Sequence, residues 1–199
     1  MLKVIGKEKF SLVELGAGDG LKTRILIETA FKEGYDFEYI PIDISHASNV
    51  QLAHNVEEIS KDIKMTVVTA EYKDGVEWVR KHKEGRKVFC ILGSSIANYK
   101  DEEIREFAEW LRGCLAKGDM MIVGLDMKKD PFVIQKAYFN DDGLNAKFGM
   151  NILNRINKEL KGEFDLKKFY HHCFYDPEKG AVVTYIVSGS DQAVKINGK

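Results

Sequence analysis

Glu14, a run of glycines and Asp43 stand in this sequence at intervals that suit an adenosine-bearing ligand. Gly16, Gly18 and Gly20 follow Glu14 closely, and Asp43 comes 27 residues after Gly16. Glycines in a tight turn let backbone approach a ligand, because they tolerate positive φ angles. A carboxylate at Asp43 can accept both hydroxyls of a ribose, or it can cap the helix that follows. Farther on, Glu71 could accept from an exocyclic amine while Tyr72 offers apolar contact. A surface Glu-Tyr pair is common, so this pair gains meaning only beside the other two groups.

These residues need strands to end beneath them. Phe10 to Leu15 is a short apolar run that stops at the glycines, and Ile25, Leu26, Thr29 and Ala30 then recur at helical spacing. Phe37 to Ile42 predicts a second strand ending at Asp43, followed by a helix carrying Val50, Ala53, Val56 and Ile59. Met65 to Val68 predicts a third strand and Gly75 to Lys83 a helix. Val88 to Leu92 predicts the fourth strand. Asp101 is the expected N-cap of the next helix, which carries Ile104, Phe107, Leu111 and Cys114 and which Gly118 should close. Met120 to Leu125 predicts a fifth strand. Strands alternating with helices at this rhythm imply a mostly parallel α/β sheet, whose strand ends at Glu14, Asp43 and Glu71 share one crevice.

The alternation stops at Asp130-Pro131. A mainly helical stretch runs to about Lys161, with Phe148, Ile152, Leu153, Ile156 and Leu160 on one face. Lys168 to Tyr175 and Ala181 to Ser188 then read as a hairpin, expected outside the parallel sheet.

Composition bounds the function classes. Thirty basic residues against 31 acidic ones give a net charge of -1, which offers no footprint for nucleic acid or a membrane surface. No run reaches transmembrane length, and the start lacks a secretory apolar core, so the expected location is cytoplasmic. Cys90, Cys114 and Cys173 are odd in number and sit in apolar segments, as buried reduced thiols do. His171 and His172 are neighbours in a strand, so they point to opposite faces and do not chelate one ion. No metal is expected.

The choice of ligand turns on two details. The spacing is G-x-G-x-G, with Leu21 where a pyrophosphate-binding turn has its third glycine. Methyltransferases hold no pyrophosphate and commonly place a carboxylate where Glu14 stands, serving the cationic methionine end of S-adenosylmethionine. Both details favour S-adenosylmethionine over NAD; a nicotinamide-dependent oxidoreductase is the rival enzyme class.

LVELGAGDGLKTR, IPIDIS, LGSSIANY, and the stretch from GLDMKKDP through AYFNDDG to FGMNILNRINKEL resemble the histidine-specific methyltransferase family. The similarity runs from about residue 11 to about residue 188, and the segment around Asn151 to Asn157 is its most specific part. Members include an Nα-methyltransferase that makes trimethylhistidine for ergothioneine and fungal relatives that methylate a prenylated tryptophan. The resemblance implies a Rossmann-like core over residues 1–127, with a parallel sheet. It also implies a partial α+β substrate lobe over 128–199 that contains the hairpin.

By the same resemblance, Gly16, Gly18 and Lys22 contact the cofactor, Asp43 its ribose, and Glu71 and Tyr72 its adenine. Asn98 would hold the amino-acid substrate and Tyr138 its carboxylate. Ala97 stands where the family has glycine. The expected reaction is methyl transfer to the α-amine of histidine or a related amino acid, with no catalytic base assigned. Family members are longer at both ends, so the chain is expected to be either a fragment or a natural short relative. It is expected to bind the cofactor but to methylate histidine poorly or not at all alone, and to self-associate or pair with a partner chain. The alternative is a non-catalytic S-adenosylmethionine-binding protein or one subunit of a heteromeric methyltransferase.

Overall fold

The computed structural model describes residues 1–93, 96, 98–138 and 143–199, which fall into two units, Met1–Asp126 and Met127–Lys199. The first unit is built on strands β1 (Phe10–Leu15), β2 (Phe37–Asp43), β3 (Lys64–Met65), β4 (Val68–Thr69), β5 (Lys87–Ile91) and β6 (Met120–Val123). Their order is β3-β2-β1-β5-β6, with β4 also on β2, and every ladder is parallel. Helices α1 (Leu2–Ile5), α2 (Leu21–Lys32), α3 (His46–Glu57), α4 (Tyr72–His82) and α5 (Asp101–Cys114) accompany them.

Strand alternation explains the two-sided core. Leu12, Tyr39, Val88 and Cys90 pack with Ile27, Ala30, Leu52 and Val56 of α2 and α3. Val13, Ile40, Ile42 and Phe89 pack with Val76 and Val79 of α4 and Phe107 and Leu111 of α5. A sheet covered on both faces favours apolar residues at most positions, and all six residues of β1 are buried, the polar Ser11 and Glu14 among them. That is why β1 reads as a mostly apolar run.

The expected third strand is two short pieces. Lys64–Met65 and Val68–Thr69 each pair with β2. Between them the Thr66 hydroxyl turns to the Glu38 carboxylate at 2.5 Å, and Lys83 reaches the same oxygen at 2.5 Å. Helix α4 starts at Tyr72, three residues earlier than expected. Helix α5 starts at Asp101, so Asp101 is its first residue and Lys100 is the N-cap. The Glu103 carboxylate accepts the Lys100 N–H at 2.7 Å, and that bond sets the boundary. The same helix ends at Cys114, well before Gly118. The Asp119 carboxylate takes the N–H of Ala116 at 2.9 Å and of Lys87 at 2.8 Å, so the turn into β6 is tied to β5 instead.

The second unit contains α6 (Pro131–Tyr138), α7 (Leu144–Leu160), a 3-10 turn (Leu166–Lys168), β7 (Phe169–Asp176) and β8 (Ala181–Ser188). β7 and β8 form an antiparallel pair of their own, with Phe169 opposite Ser188 and Asp176 opposite Ala181. The hairpin thus lies outside the parallel sheet, as the order of elements predicts. His171 faces Gly149 of α7, whereas His172 is exposed, 5.7 Å from the Phe174 ring. After α7, the Asn157 side chain donates to the Phe164 carbonyl and accepts its N–H, both at 2.8 Å. All three cysteines are free and buried. No helix among the described residues is long and apolar enough to cross a membrane.

Candidate functional site at the carboxyl edge of the sheet

The chain runs outward from β1 to β2, β3 and β4, then returns to place β5 on the other side of β1. Connections that leave a parallel sheet in opposite directions open a crevice at the strand ends. A cavity of about 690 Å³ lies there, lined by Gly16, Asp43, Ile44, Glu71, Tyr72 and Lys73 from the first three strand ends. Tyr99, Glu103, Glu106 and Phe107 supply its other wall. Gly16, Asp43, Glu71 and Tyr72, separated in sequence, therefore meet at one site.

The loop after β1 is fastened before any ligand arrives. Gly16 donates its N–H to the Ile42 carbonyl at 2.9 Å. Gly18, at φ +58°, aims its N–H at Oδ2 of Asp43, 3.0 Å away. Oδ1 of Asp43 accepts from the Ser45 N–H at 2.9 Å. A carboxylate oxygen has two lone-pair directions, so each Asp43 oxygen retains one for a diol. Gly20, at φ +75°, precedes α2 so closely to Leu52 that a Cβ there would lie 3.0 Å from Cγ of that leucine. From α3, Asn49 donates to the Asp43 carbonyl at 3.1 Å and to the Thr69 hydroxyl at 2.9 Å, joining two of the strand ends.

Glu14 occupies a different layer. It is only 2% exposed and lies in register with Pro41 of β2 and Cys90 of β5. Thr23, in the first turn of α2, donates its hydroxyl to one carboxylate oxygen, and Tyr39 of β2 donates to the other. Burial raises the Glu14 carboxyl above its usual range, against the lowering effect of those two hydrogen bonds. Burial and the neighbouring Glu14 charge push the Cys90 thiol up to about 12 and the Tyr39 phenol well above its usual value. Lys22 is exposed on α2 and acts on Glu14 through its charge.

Sequence reasoning missed the far wall. Tyr99 stacks on Phe107 with ring centroids 6.2 Å apart, and Tyr72 lies 6.1 Å from Phe107. Ile44, immediately after Asp43, is 70% exposed at the cavity. An aromatic and aliphatic wall beside a carboxylate with open acceptor positions suits a purine nucleoside. Only the exposure of an apolar residue after Asp43 could have hinted at Ile44, and exposure is invisible in a sequence. Asn98 lies exposed between β5 and α5. In the second unit, Tyr138 ends α6 and is 45% exposed, its carbonyl accepting from the Asn145 amide at 3.1 Å. Ala97 lies outside the described residues. Among the described residues no cluster of three His, Cys, Asp or Glu side chains is placed to hold a metal.

Comparison with known proteins adds a second line of argument. A family model described as histidine-specific methyltransferase, SAM-dependent, matches residues 1–199. The histidine N-alpha-methyltransferase of Mycobacterium tuberculosis is 26% identical over 186 residues, 94% of this chain and 57% of that protein. The N-methyltransferase fsqC of Aspergillus fumigatus is 28% identical over 191 residues, 93% of this chain and 51% of that protein. The chain thus spans little more than half the length of these relatives. Among solved structures, an S-adenosyl-L-methionine-dependent methyltransferase of Methanococcus maripaludis, itself described as putative, matches with a TM-score of 0.42. It is 16% identical, over 96% of this chain and 82% of that one.

Proposed function

Because this chain belongs to the histidine-specific, SAM-dependent methyltransferase family, we propose that its crevice holds S-adenosylmethionine. The whole protein would methylate the α-amine of histidine or a related amino acid. The carrying observation is the meeting of Gly16, Asp43, Glu71 and Tyr72 on one cavity large enough for a nucleoside. In this reading residues 1–127 are the cofactor-binding core and 128–199 part of the substrate lobe. Asp43 accepts from the ribose hydroxyls, and Gly16 and Gly18 bring backbone close to the methionine end. Lys22 meets its carboxylate. Ile44, Tyr72 and Phe107 enclose the adenine, and Glu71 accepts from its amine. Asn98 and Tyr138 are assigned to the amine and carboxylate ends of the substrate.

When bound, the cofactor would supply a methyl group on a sulfonium; an unprotonated amine would attack that methyl carbon, the C–N bond forming as the C–S bond breaks and S-adenosylhomocysteine leaves. The protein's contribution is alignment and exclusion of water, which can supply much of the rate of such a displacement. No residue is assigned as a base. Three unpaired, buried thiols support a reducing, cytoplasmic setting. Phe132 and Phe148, 81% and 84% exposed, support self-association or a partner chain.

Calorimetry with S-adenosylhomocysteine and with NAD tests the cofactor, and radiolabelled methyl transfer to histidine, tryptophan and other amino acids tests the reaction. S-adenosylhomocysteine binding far more tightly than NAD is the expected result. Equal or tighter NAD binding overturns the reading.

A further inference from the structure

We propose that Glu14 selects the charged cofactor over its neutral product through the field of a buried carboxylate, not by touching either. The proposal rests on the S-adenosylmethionine reading above and gives one residue of that site a different role. A direct contact is poorly served by the geometry. Glu14 is 2% exposed and absent from the cavity lining, and both of its oxygens already accept hydroxyl hydrogens. Those donors, Thr23 and Tyr39, are neutral, so neither cancels the negative charge.

The charge nevertheless sits close to the ligand. Gly16, which lines the cavity, is two residues along the same strand and loop. Two residues of extended chain span at most ~7 Å, and a charge in a protein interior is screened far less than one in water. The groups facing Glu14 sharpen the point. From β5 comes Cys90, from β2 Tyr39, and from α2 Thr23 and Lys22, with Asp43 at the end of β2. Cys90 and Tyr39 both remain protonated at neutral pH, the first with its thiol pushed up to about 12. Glu14 is the one carboxylate in the buried set formed with Thr23, Tyr39 and Cys90, and two hydroxyls donate to its oxygens. S-adenosylmethionine and S-adenosylhomocysteine differ by a methyl group and a positive charge on sulfur. A fixed negative charge beneath the loop favours the first and lets the second leave.

The test is calorimetry on the full chain with both ligands, comparing wild type, Glu14→Gln and Tyr39→Phe, with folding checked by thermal melting. Glu14→Gln should weaken S-adenosylmethionine about tenfold more than S-adenosylhomocysteine, an effect of the size expected for one unit charge at ~10 Å in a partly screened interior. Tyr39→Phe keeps the charge and should leave the ratio of the two affinities unchanged. An equal loss for both ligands in folded Glu14→Gln overturns the proposal and leaves Glu14 a scaffold residue. If Glu14→Gln does not fold, the wild type carries the test. Its preference for S-adenosylmethionine should shrink as pH falls through the raised range of the Glu14 carboxyl and Glu14 takes up a proton; a constant ratio overturns the proposal. A wild type that binds neither ligand overturns the cofactor reading instead.

Discussion

Gly18 and Asp43, 25 residues apart, are joined by a hydrogen bond from the glycine N–H to the carboxylate at 3.0 Å. The carboxylate assigned to the ribose is thus also the clasp of the loop above it. Removing it should do two things at once. Asp43→Ala should weaken S-adenosylhomocysteine by at least the ~1.5–3 kcal/mol of a charged hydrogen-bond partner. Without any ligand, it should also speed hydrogen exchange at the Gly18 amide. Calorimetry and exchange measured on the same variant check both halves. Unchanged affinity would sink the ribose assignment.

Glu14 carries a stability cost that pH should expose. Burial raises its carboxyl above 4.5, so between 4.5 and the raised value the folded chain binds a proton that the unfolded chain has lost. Stability from this group therefore falls as pH rises through that window, and the full cost is present above it. Glu14→Gln should melt higher than wild type at neutral pH, with the gap closing as pH approaches 4.5. Thermal melts of ligand-free protein across that range are the measurement.

Gly75 lets α4 lie against β2. A Cβ at that position would stand 2.5 Å from Cγ2 of the fully buried Ile42. Gly75→Ala should cost about 1–3 kcal/mol through overpacking. It should also weaken nucleoside binding, because Glu71 and Tyr72 at the start of α4 would be pushed off the cavity. Chemical denaturation and ligand titration separate the two effects.

The thiols give a simple check on the packing. Cys90, Cys114 and Cys173 are 0%, 7% and 2% exposed, and burial raises the first and last. A thiol reagent should label none of them quickly in the native chain and all three once it is unfolded. Fast labelling of Cys90 in folded protein would mean that the sheet between β1 and β5 opens readily.

Much of this arrangement could be read from residue types, for identifiable reasons. A doubly covered strand is mostly apolar, so β1, β2 and β5 stood out despite Glu14, Glu38 and Lys87, and the glycines and Asp43 marked where β1 and β2 stop. The break at Thr66 was invisible, because it depends on Glu38 and Lys83 arriving from elsewhere in the fold. The start of α5 was misjudged by one residue, since Asp101 looks like a cap until Glu103 is seen taking the Lys100 amide. The wall of Tyr99 and Phe107 is unreadable for a related cause. It exists only because α4 and α5 pack side by side on the same face of the sheet. Glu14 was legible as a carboxylate just before the glycines, but its confinement beneath Thr23 and Tyr39 was not.

The split between β3 and β4 bears on how the protein behaves when concentrated. An edge strand of ordinary length offers a row of unpaired amides and carbonyls on which a second molecule can build a shared sheet. Here the outer edge beside β2 comes in two pieces of two residues each, and at the gap Thr66 spends its N–H inward on the Tyr39 carbonyl at 2.9 Å. A docking strand would find its register lost after two residues. That rim is a poor template for fibril growth, so any backbone pairing between copies in solution would have to use another edge, β6 or the β7–β8 hairpin.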